Sequence, residues 1–265
     1  MTRKTAEDTL HKTVCRVEGV SKEGGECVLL TLDAPEIAKL AVPGQFVMVK
    51  CTDGACPLLR RPISIASARE DKIFLLVQPV GTGTRWLCER KAGDSIDVIG
   101  PLGNGFTLPG AGENILVSGG LGAPPLLFLA RILADMGKQA VSLLGAGSSS
   151  RLVLKNEMAA VCKDVFISTE DGSEGTKGLV TDLVSKLAPK STANIFACGP
   201  LPMLARVAEI AEKASSCQVS LEAKMACGYG ACMGCAVPAA NGGYLHVCTQ
   251  GPVFPSKLVM WRNPL

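Results

Sequence analysis

The rhythm of apolar and polar positions changes twice along the chain. From residue 13 to about 107, short β-rich runs alternate with turn signals. The runs cover 14–20, 26–32, 45–51, 62–66, 72–79 and 95–99, and the breaks include Gly24-Gly25, Pro43-Gly44, Asp53-Gly54 and Gly93-Asp94. Many short strands at this spacing predict a closed antiparallel barrel or a sandwich. After Pro109-Gly110 the period lengthens, with strands predicted at 114–117, 140–144, 165–168 and 194–197 and helices at 124–136, 152–161, 179–187 and 200–214. Strand and helix in alternation predict a parallel sheet with right-handed crossovers. From about 221 to 265 neither period holds, and glycine and cysteine dominate instead. The expected organisation is β + α/β in three units, 1–108, 109–218 and 219–265. The last is too short to build much core alone, so an inorganic centre would be its natural stabiliser.

Composition narrows the class. A chain of 265 residues with 47% hydrophobic and 19% charged positions has material for real cores,. A net charge of +3 without like-charge runs gives no support for nucleic acid or a membrane surface as partner,. The apolar stretch 116–133 is broken by Gly119, Gly120, Gly122, Pro124, Pro125 and Arg131 and does not read as a membrane span,. Residues 1–13 lack the apolar centre of a signal peptide, so the expected location is cytoplasmic,. There, 12 cysteines point to metal binding or redox work rather than disulfides,. Only His11 and His246 are available for imidazole chemistry, which argues against a His-centred triad or a His-rich zinc site.

Four motifs carry chemistry. Cys227, Cys232 and Cys235 stand in C-x4-C-x2-C spacing with Cys248 downstream, the plant-type 2Fe–2S arrangement,. Thiolates are soft anionic ligands suited to iron–sulfur centres, and Gly228, Gly230 and Gly234 let backbone N–H groups turn toward sulfur. A structural zinc site would be expected to show paired C-x2-C units, and only one is present,. The second motif is Arg60-Arg61-Pro62-Ile63-Ser64 at the start of a barrel strand, where an Arg and a hydroxyl can hold a phosphate and a ring edge. Gly81-Thr82-Gly83-Thr84, opening a short helix, could close a pyrophosphate clamp with it,. The third is Ser118-Gly119-Gly120-Leu121-Gly122, the glycine-rich first turn of the α/β unit, where dinucleotides lie at strand ends,. The fourth, Cys198-Gly199-Pro200, follows a later strand of the same unit and reads equally as a helix start,.

These motifs in this order resemble the electron-transfer subunits of type B dihydroorotate dehydrogenase, within the ferredoxin–NADP reductase superfamily. The resemblance spans about 13–261 and is most specific over Leu59-Arg60-Arg61-Pro62-Ile63-Ser64-Ile65, over 221–235, and at Gly251-Pro252-Val253-Phe254. It implies an FAD-binding antiparallel β-barrel, a doubly wound NAD-binding domain and a C-terminal 2Fe–2S loop module. It places FAD against Arg61, Pro62, Ile63 and Ser64, with Leu76, Val77 and Gln78 and the Gly83-Thr84 turn completing the site. NAD falls to Gly119, Gly120 and Gly122, with Cys198 and Gly199 nearby, and the cluster to Cys227, Cys232, Cys235 and Cys248. It also implies an FMN-containing catalytic partner that oxidises dihydroorotate in pyrimidine biosynthesis, in a heterotetramer of two copies of each subunit. Relatives in electron-bifurcating ferredoxin:NADP oxidoreductases carry Asp at the first ligand position, so Cys227 favours the dihydroorotate branch. The alternatives are an FAD/2Fe–2S oxidoreductase subunit serving a sulfite-reductase, hydrogenase or ferredoxin acceptor, and a zinc-stabilised binding module.

Two positions depart from the pattern: Ser118 replaces the first glycine of the nucleotide turn, and Gly145-Ala146-Gly147-Ser148 stands where many relatives have an Arg for a 2′-phosphate. The latter favours NAD over NADP. Cys15, Cys27, Cys51, Cys56, Cys88, Cys162 and Cys217 lack ligand spacing and are expected to pack as small apolar residues,. The Glu170-Asp171-Gly172-Ser173 segment is expected as a solvated loop, and Met203, Met225 and Met233 as packing residues.

Overall fold

The computed structural model describes residues 11–187 and 189–261. Its first layer is a closed barrel of six strands: β1 (His11–Lys22), β2 (Val28–Asp33), β3 (Phe46–Val49), β4 (Arg61–Arg69), β5 (Lys72–Val77) and β6 (Ser95–Leu102). They run antiparallel in the order β1-β2-β5-β4-β3-β6. Alternation in β2, with Val28, Leu30 and Leu32 buried and Asp33 exposed, gives the barrel one apolar face inside,. Of the two architectures left open by the sequence, closure into a barrel is the one formed, and it leaves no free edge. Two short helices decorate it, α1 (Pro35–Leu40) and α2 (Thr82–Cys88). The first carries a single buried apolar residue, Ile37, too little to show a helical period in the sequence.

The second layer is a seven-stranded sheet in the order β10-β9-β8-β7-β11-β12-β15. Its parallel strands are β7 (Asn114–Gly119), β8 (Ala140–Ala146), β9 (Asp164–Thr169), β10 (Thr176–Lys177), β11 (Asn194–Cys198) and β12 (Ser216–Ser220). β7 and β11 are buried almost end to end, as strands covered on both faces must be,. The helices are α3 (Ala123–Asp135), α4 (Lys155–Val161), α5 (Val180–Leu187) and α6 (Leu201–Ile210). The helix expected over 152–161 starts at Lys155, after a one-turn 3-10 segment at Ser149–Arg151.

The last segment folds onto both layers. β13 (Ala236–Pro238) and β14 (Tyr244–His246) form a small ribbon, and β15 (Val253–Pro255) returns antiparallel to β12 as the edge of the large sheet. The expected boundary at 218 therefore falls inside β12, and the segment after it completes the sheet begun before it. A sequence period cannot reveal this, because β15 is only three residues long.

Helix α3 is buried on most of its circumference. Phe128 joins the barrel core beside Ile65, while Leu126, Leu127, Leu129 and Leu133 join the core under β7 and β11. Phe196, fully buried in β11, meets Phe106 edge-on at 5.7 Å between ring centres,. Cys56 and Met233 are exposed rather than packed, each lying in a loop without a core beneath it. No helix among the described residues is long and apolar enough to cross a membrane.

Replacing Phe196 by Ala should leave a cavity at the centre of the sheet. The expected cost is about 3–5 kcal/mol, read as an earlier urea midpoint by far-ultraviolet circular dichroism of the purified chain.

Candidate functional site: two adjoining cavities and a four-thiol loop

A cavity of about 260 Å³ lies between the barrel and the strand ends of the sheet. Pro62, Ile63 and Ser64 line it from β4, Leu76 and Val77 from β5, Gln78 just beyond, and Thr84 from α2. The first half of β4 is only half-buried because it borders this space, whereas Ile65, Ala66 and Ser67 are buried. Leu121 and Pro124 come from the glycine turn after β7, Cys198 from the end of β11, and 220–223 with Met225 close the remaining side.

The two adjacent arginines divide their work. Arg60 pairs with Asp97 at 2.8 Å and donates to the Asp97 backbone oxygen at 3.0 Å, which fastens the start of β4 to β6. Arg61 has no carboxylate partner among the described residues; its Nη1 donates only to the carbonyls of Leu59 and Arg60. A Cβ on Gly83 would stand 3.3 Å from Arg61 Nε, so the first turn of α2 lies against this guanidinium. The Thr84 hydroxyl accepts from the Gly81 N–H at 3.0 Å and donates to the Gly81 carbonyl at 3.1 Å, holding the turn in shape. An unpaired guanidinium beside a glycine turn, at the edge of an apolar cavity with amide and hydroxyl groups, fits a flavin dinucleotide with its diphosphate outside.

A second cavity, about 490 Å³, lies at the carboxyl ends of β7, β8 and β9. Gly119 and Gly120 line it, with Gly145, Arg151 and Glu170 on the far side. Gln78 and Leu121 belong to both cavities, so the second opens onto the first. Gly122 and Gly199 line neither. A Cβ on Gly122 would overlap the Cys198 carbonyl oxygen, and one on Gly199 would approach the Gly119 nitrogen at 3.0 Å. These two glycines let the turns after β7 and β11 touch. Glu170, expected in a solvated loop, is exposed but stands on the wall of this cavity.

The four cysteines of the loop gather as two couples. The Cys232 N–H points to Cys227 Sγ at 3.4 Å; the Cys248 N–H points to Cys235 Sγ at 3.4 Å, and the Cys235 thiol donates to Cys248 Sγ at 3.2 Å. Burial pushes the Cys227 thiol up, but N–H groups of Cys232, Tyr229 and Ala231 outweigh it and hold the pKa at about 6. Cys248 goes the other way, to about 12, because it is buried and faces Cys235. Among the described residues no three His, Cys, Asp or Glu side chains converge as one mononuclear ion would need. Two thiol couples with inward N–H groups fit a binuclear iron–sulfur centre, two sulfurs to each iron. Gly228, at φ +82°, sets the loop on the barrel, where a Cβ would overlap Met48,.

Sequence reasoning missed the Gln78–Leu121 wall, Arg151, Ser220 and Glu222. Glu222 stands inside the quoted stretch 221–235, yet no spacing gives it a role; only the closed cavity does. In the cluster-free chain Cys227 should be the most reactive loop thiol. Its alkylation by iodoacetamide should rise through about pH 6 and level off, whereas Cys198, pushed to about 12 by burial, should stay unmodified at pH about 8,. Mass-spectrometric mapping against pH reads both.

Residues 222–260 match the family described as the iron-sulfur cluster binding domain of dihydroorotate dehydrogenase B. The chain is 42% identical over 241 residues to the dihydroorotate dehydrogenase B (NAD(+)) electron transfer subunit of Desulforamulus reducens, covering 88% of this chain and 92% of the relative. The subunit of the same name from a Geobacillus species is 40% identical over 257 residues, covering 94% and 97%. Among solved structures, an NADH-dependent reduced ferredoxin-NADP oxidoreductase superposes with TM-score 0.84 at 29% identity, over 94% of this chain and 90% of that one. The ferredoxin reductase of carbazole 1,9a-dioxygenase superposes at 0.66 with 22% identity, over 77% and 66%, and shares the fold. The chain belongs to the family of dihydroorotate dehydrogenase B electron transfer subunits.

Proposed function

We propose that this chain passes electrons from a dihydroorotate-oxidising partner to NAD⁺, with one functional unit for each cofactor: the barrel for FAD, the parallel sheet for NAD and the C-terminal segment for a 2Fe–2S cluster. The observation that carries this reading is the continuity of the three sites. Leu221, Glu222, Ala223 and Met225 wall the first cavity and lead within two residues to Cys227, while Gln78 and Leu121 join that cavity to the nucleotide cleft. When bound, the cluster carries single electrons, and the flavin gathers two and passes them to NAD⁺ as a hydride.

The chain's own residues act by holding and positioning. Cys227, Cys232, Cys235 and Cys248 would ligate iron, with Cys232 exposed at the surface. Arg61 would neutralise the diphosphate of FAD, Ser64 and Gln78 would offer it polar groups, and apolar Ile63, Leu76 and Val77 would keep water from its ring. Gly119 and Gly120 admit the nucleotide backbone to the sheet. The partner is an FMN-containing catalytic subunit in a heterotetramer, and the location is cytoplasmic, where free thiols persist. Cys227 at the first ligand position and about 40% identity to dihydroorotate dehydrogenase subunits favour a dihydroorotate-oxidising partner over a ferredoxin or sulfite-reductase one.

Cys232→Ser should abolish the visible cluster absorption and block dihydroorotate-to-NAD⁺ transfer in the complex, while NADH still reduces FAD. Transfer that survived this change would remove the cluster from the path. Arg61→Ala should weaken FAD binding by about 1.5–3 kcal/mol, the worth of a charge-assisted contact. That is a Kd about ten- to hundredfold higher, read by flavin fluorescence on dilution.

A further inference from the structure

The second cavity is not walled by the sheet alone. Gly25 and Cys27, from the barrel turn between β1 and β2, stand on its lining together with Gly147, Arg151 and Val153 of the segment after β8. The turn is tight: the Glu23 N–H donates to the Cys27 carbonyl at 2.8 Å, and the Cys27 N–H to the Gly24 carbonyl at 3.2 Å. Gly25 and Glu26 take φ of +66° and +62°, a region that a residue with a side chain, such as Glu26, rarely enters,.

Turn and segment are pressed together. A Cβ on Gly24 would overlap the Leu152 carbonyl oxygen and stand 3.3 Å from that of Ser150, and one on Gly25 would lie 3.6 Å from Arg151 Cα. Beneath this contact Cys27 shares a buried cluster with Val153, Leu154 and Met158, so a barrel residue is packed into the apolar core of the sheet. Leu154 is buried at φ +55°, a strained conformation that persists because its surroundings over-determine it,. The guanidinium carried by the segment folds back over the strand end, with Arg151 Nη1 3.7 Å from the point where a Cβ on Gly147 would lie. Two residues earlier, Gly145 pairs in register with Gly119 of the glycine turn. Three charged side chains line the cavity: Glu170, Arg206, which is paired with Glu209 at 2.7 Å, and Arg151, which has no carboxylate partner among the described residues.

We infer that Arg151 grips the diphosphate of the dinucleotide and that the β1–β2 turn is its positioning element, a brace from the barrel that holds 149–152 at the cleft. The inference rests on the reading of this cavity as the NAD site. The diphosphate is the anionic part of NAD, and a guanidinium free of carboxylates offers it paired donors. Nucleotide binding then depends on both units: the sheet supplies the glycine turn, and the barrel fixes the cation beside it.

The test is Arg151→Ala, Gly24→Ala and the two combined in the complete complex. NADH affinity is read by flavin fluorescence titration, and KM for NAD⁺ with dihydroorotate as electron donor. Arg151→Ala should raise the NADH Kd and the KM about tenfold, the lower range for a charge-assisted contact. Arg151→Lys should restore part of this, and FAD and iron content should stay at the wild-type level. Gly24→Ala should raise Kd and KM by a similar factor, because its Cβ pushes the segment off the turn. The double variant should bind no more weakly than Arg151→Ala, since turn and guanidinium act on one contact. Full additivity in the double variant would overturn the brace. An unchanged NADH affinity in Arg151→Ala, or a loss confined to NADPH, would overturn the grip. A wild-type complex that bound no NADH would instead remove the reading of the cavity as the NAD site, an outcome distinct from these because each compares a variant with a wild type that binds.

Discussion

The architecture depends on one seam, where residues 228–254 lie on the barrel. The Asn104 backbone N–H donates to Gly251 at 2.6 Å, and its side-chain amide donates to the carbonyls of Thr249 and Gln250 at 2.8 and 3.1 Å. Gly228 sits on Met48, Gly103 faces Pro252 and Gly44 faces Val253, each at a distance that excludes a side chain. A segment with little core of its own is thereby buried on someone else's: Phe46, Met48 and Leu102 of the barrel share a cluster with Cys235, Val247 and Cys248,. Without this seam the four thiols would hang on a glycine-rich chain with nothing to fix their spacing. With it, the loop is pressed against the strand β3 that pairs with β4, whose first residues line the flavin-side cavity.

The same seam explains the division of charge around the thiols. Cys235 and Cys248 are buried by the barrel contact, while Cys227 is half-buried and Cys232 exposed, with backbone N–H groups turned to the Cys227 sulfur. One couple is thus held by packing and the other by backbone dipoles, and the loop tolerates an exposed side without losing its geometry.

Much of this was legible in the sequence because the controlling residues are local. The C-x4-C-x2-C spacing fixes which thiols can meet, and the change of period near Pro109 separates barrel from sheet. The glycine turn at 118–122 announces a strand end. What was not legible depends on distant parts meeting. β15 is too short for a period and earns its place only by pairing with β12. Gly122 and Gly199 read as nucleotide-contacting residues and turn out to hold two turns together. Glu222 stands in the stretch 221–235 without a spacing that gives it a role, and its environment exists only after barrel, sheet and tail have closed around one space. Cys56 shows the converse, a residue type that usually packs but is exposed in its loop.

Helix α3 has a consequence for how such chains can be rebuilt. Its Phe128 belongs to the barrel and its leucines to the sheet, and little of it faces water. Barrel and sheet are therefore not interchangeable modules. A chimera that exchanges the nucleotide unit between two relatives must carry a matching α3 surface, or its join will be mispacked even when both parents are stable. In this chain the surface that such a join has to preserve is that helix.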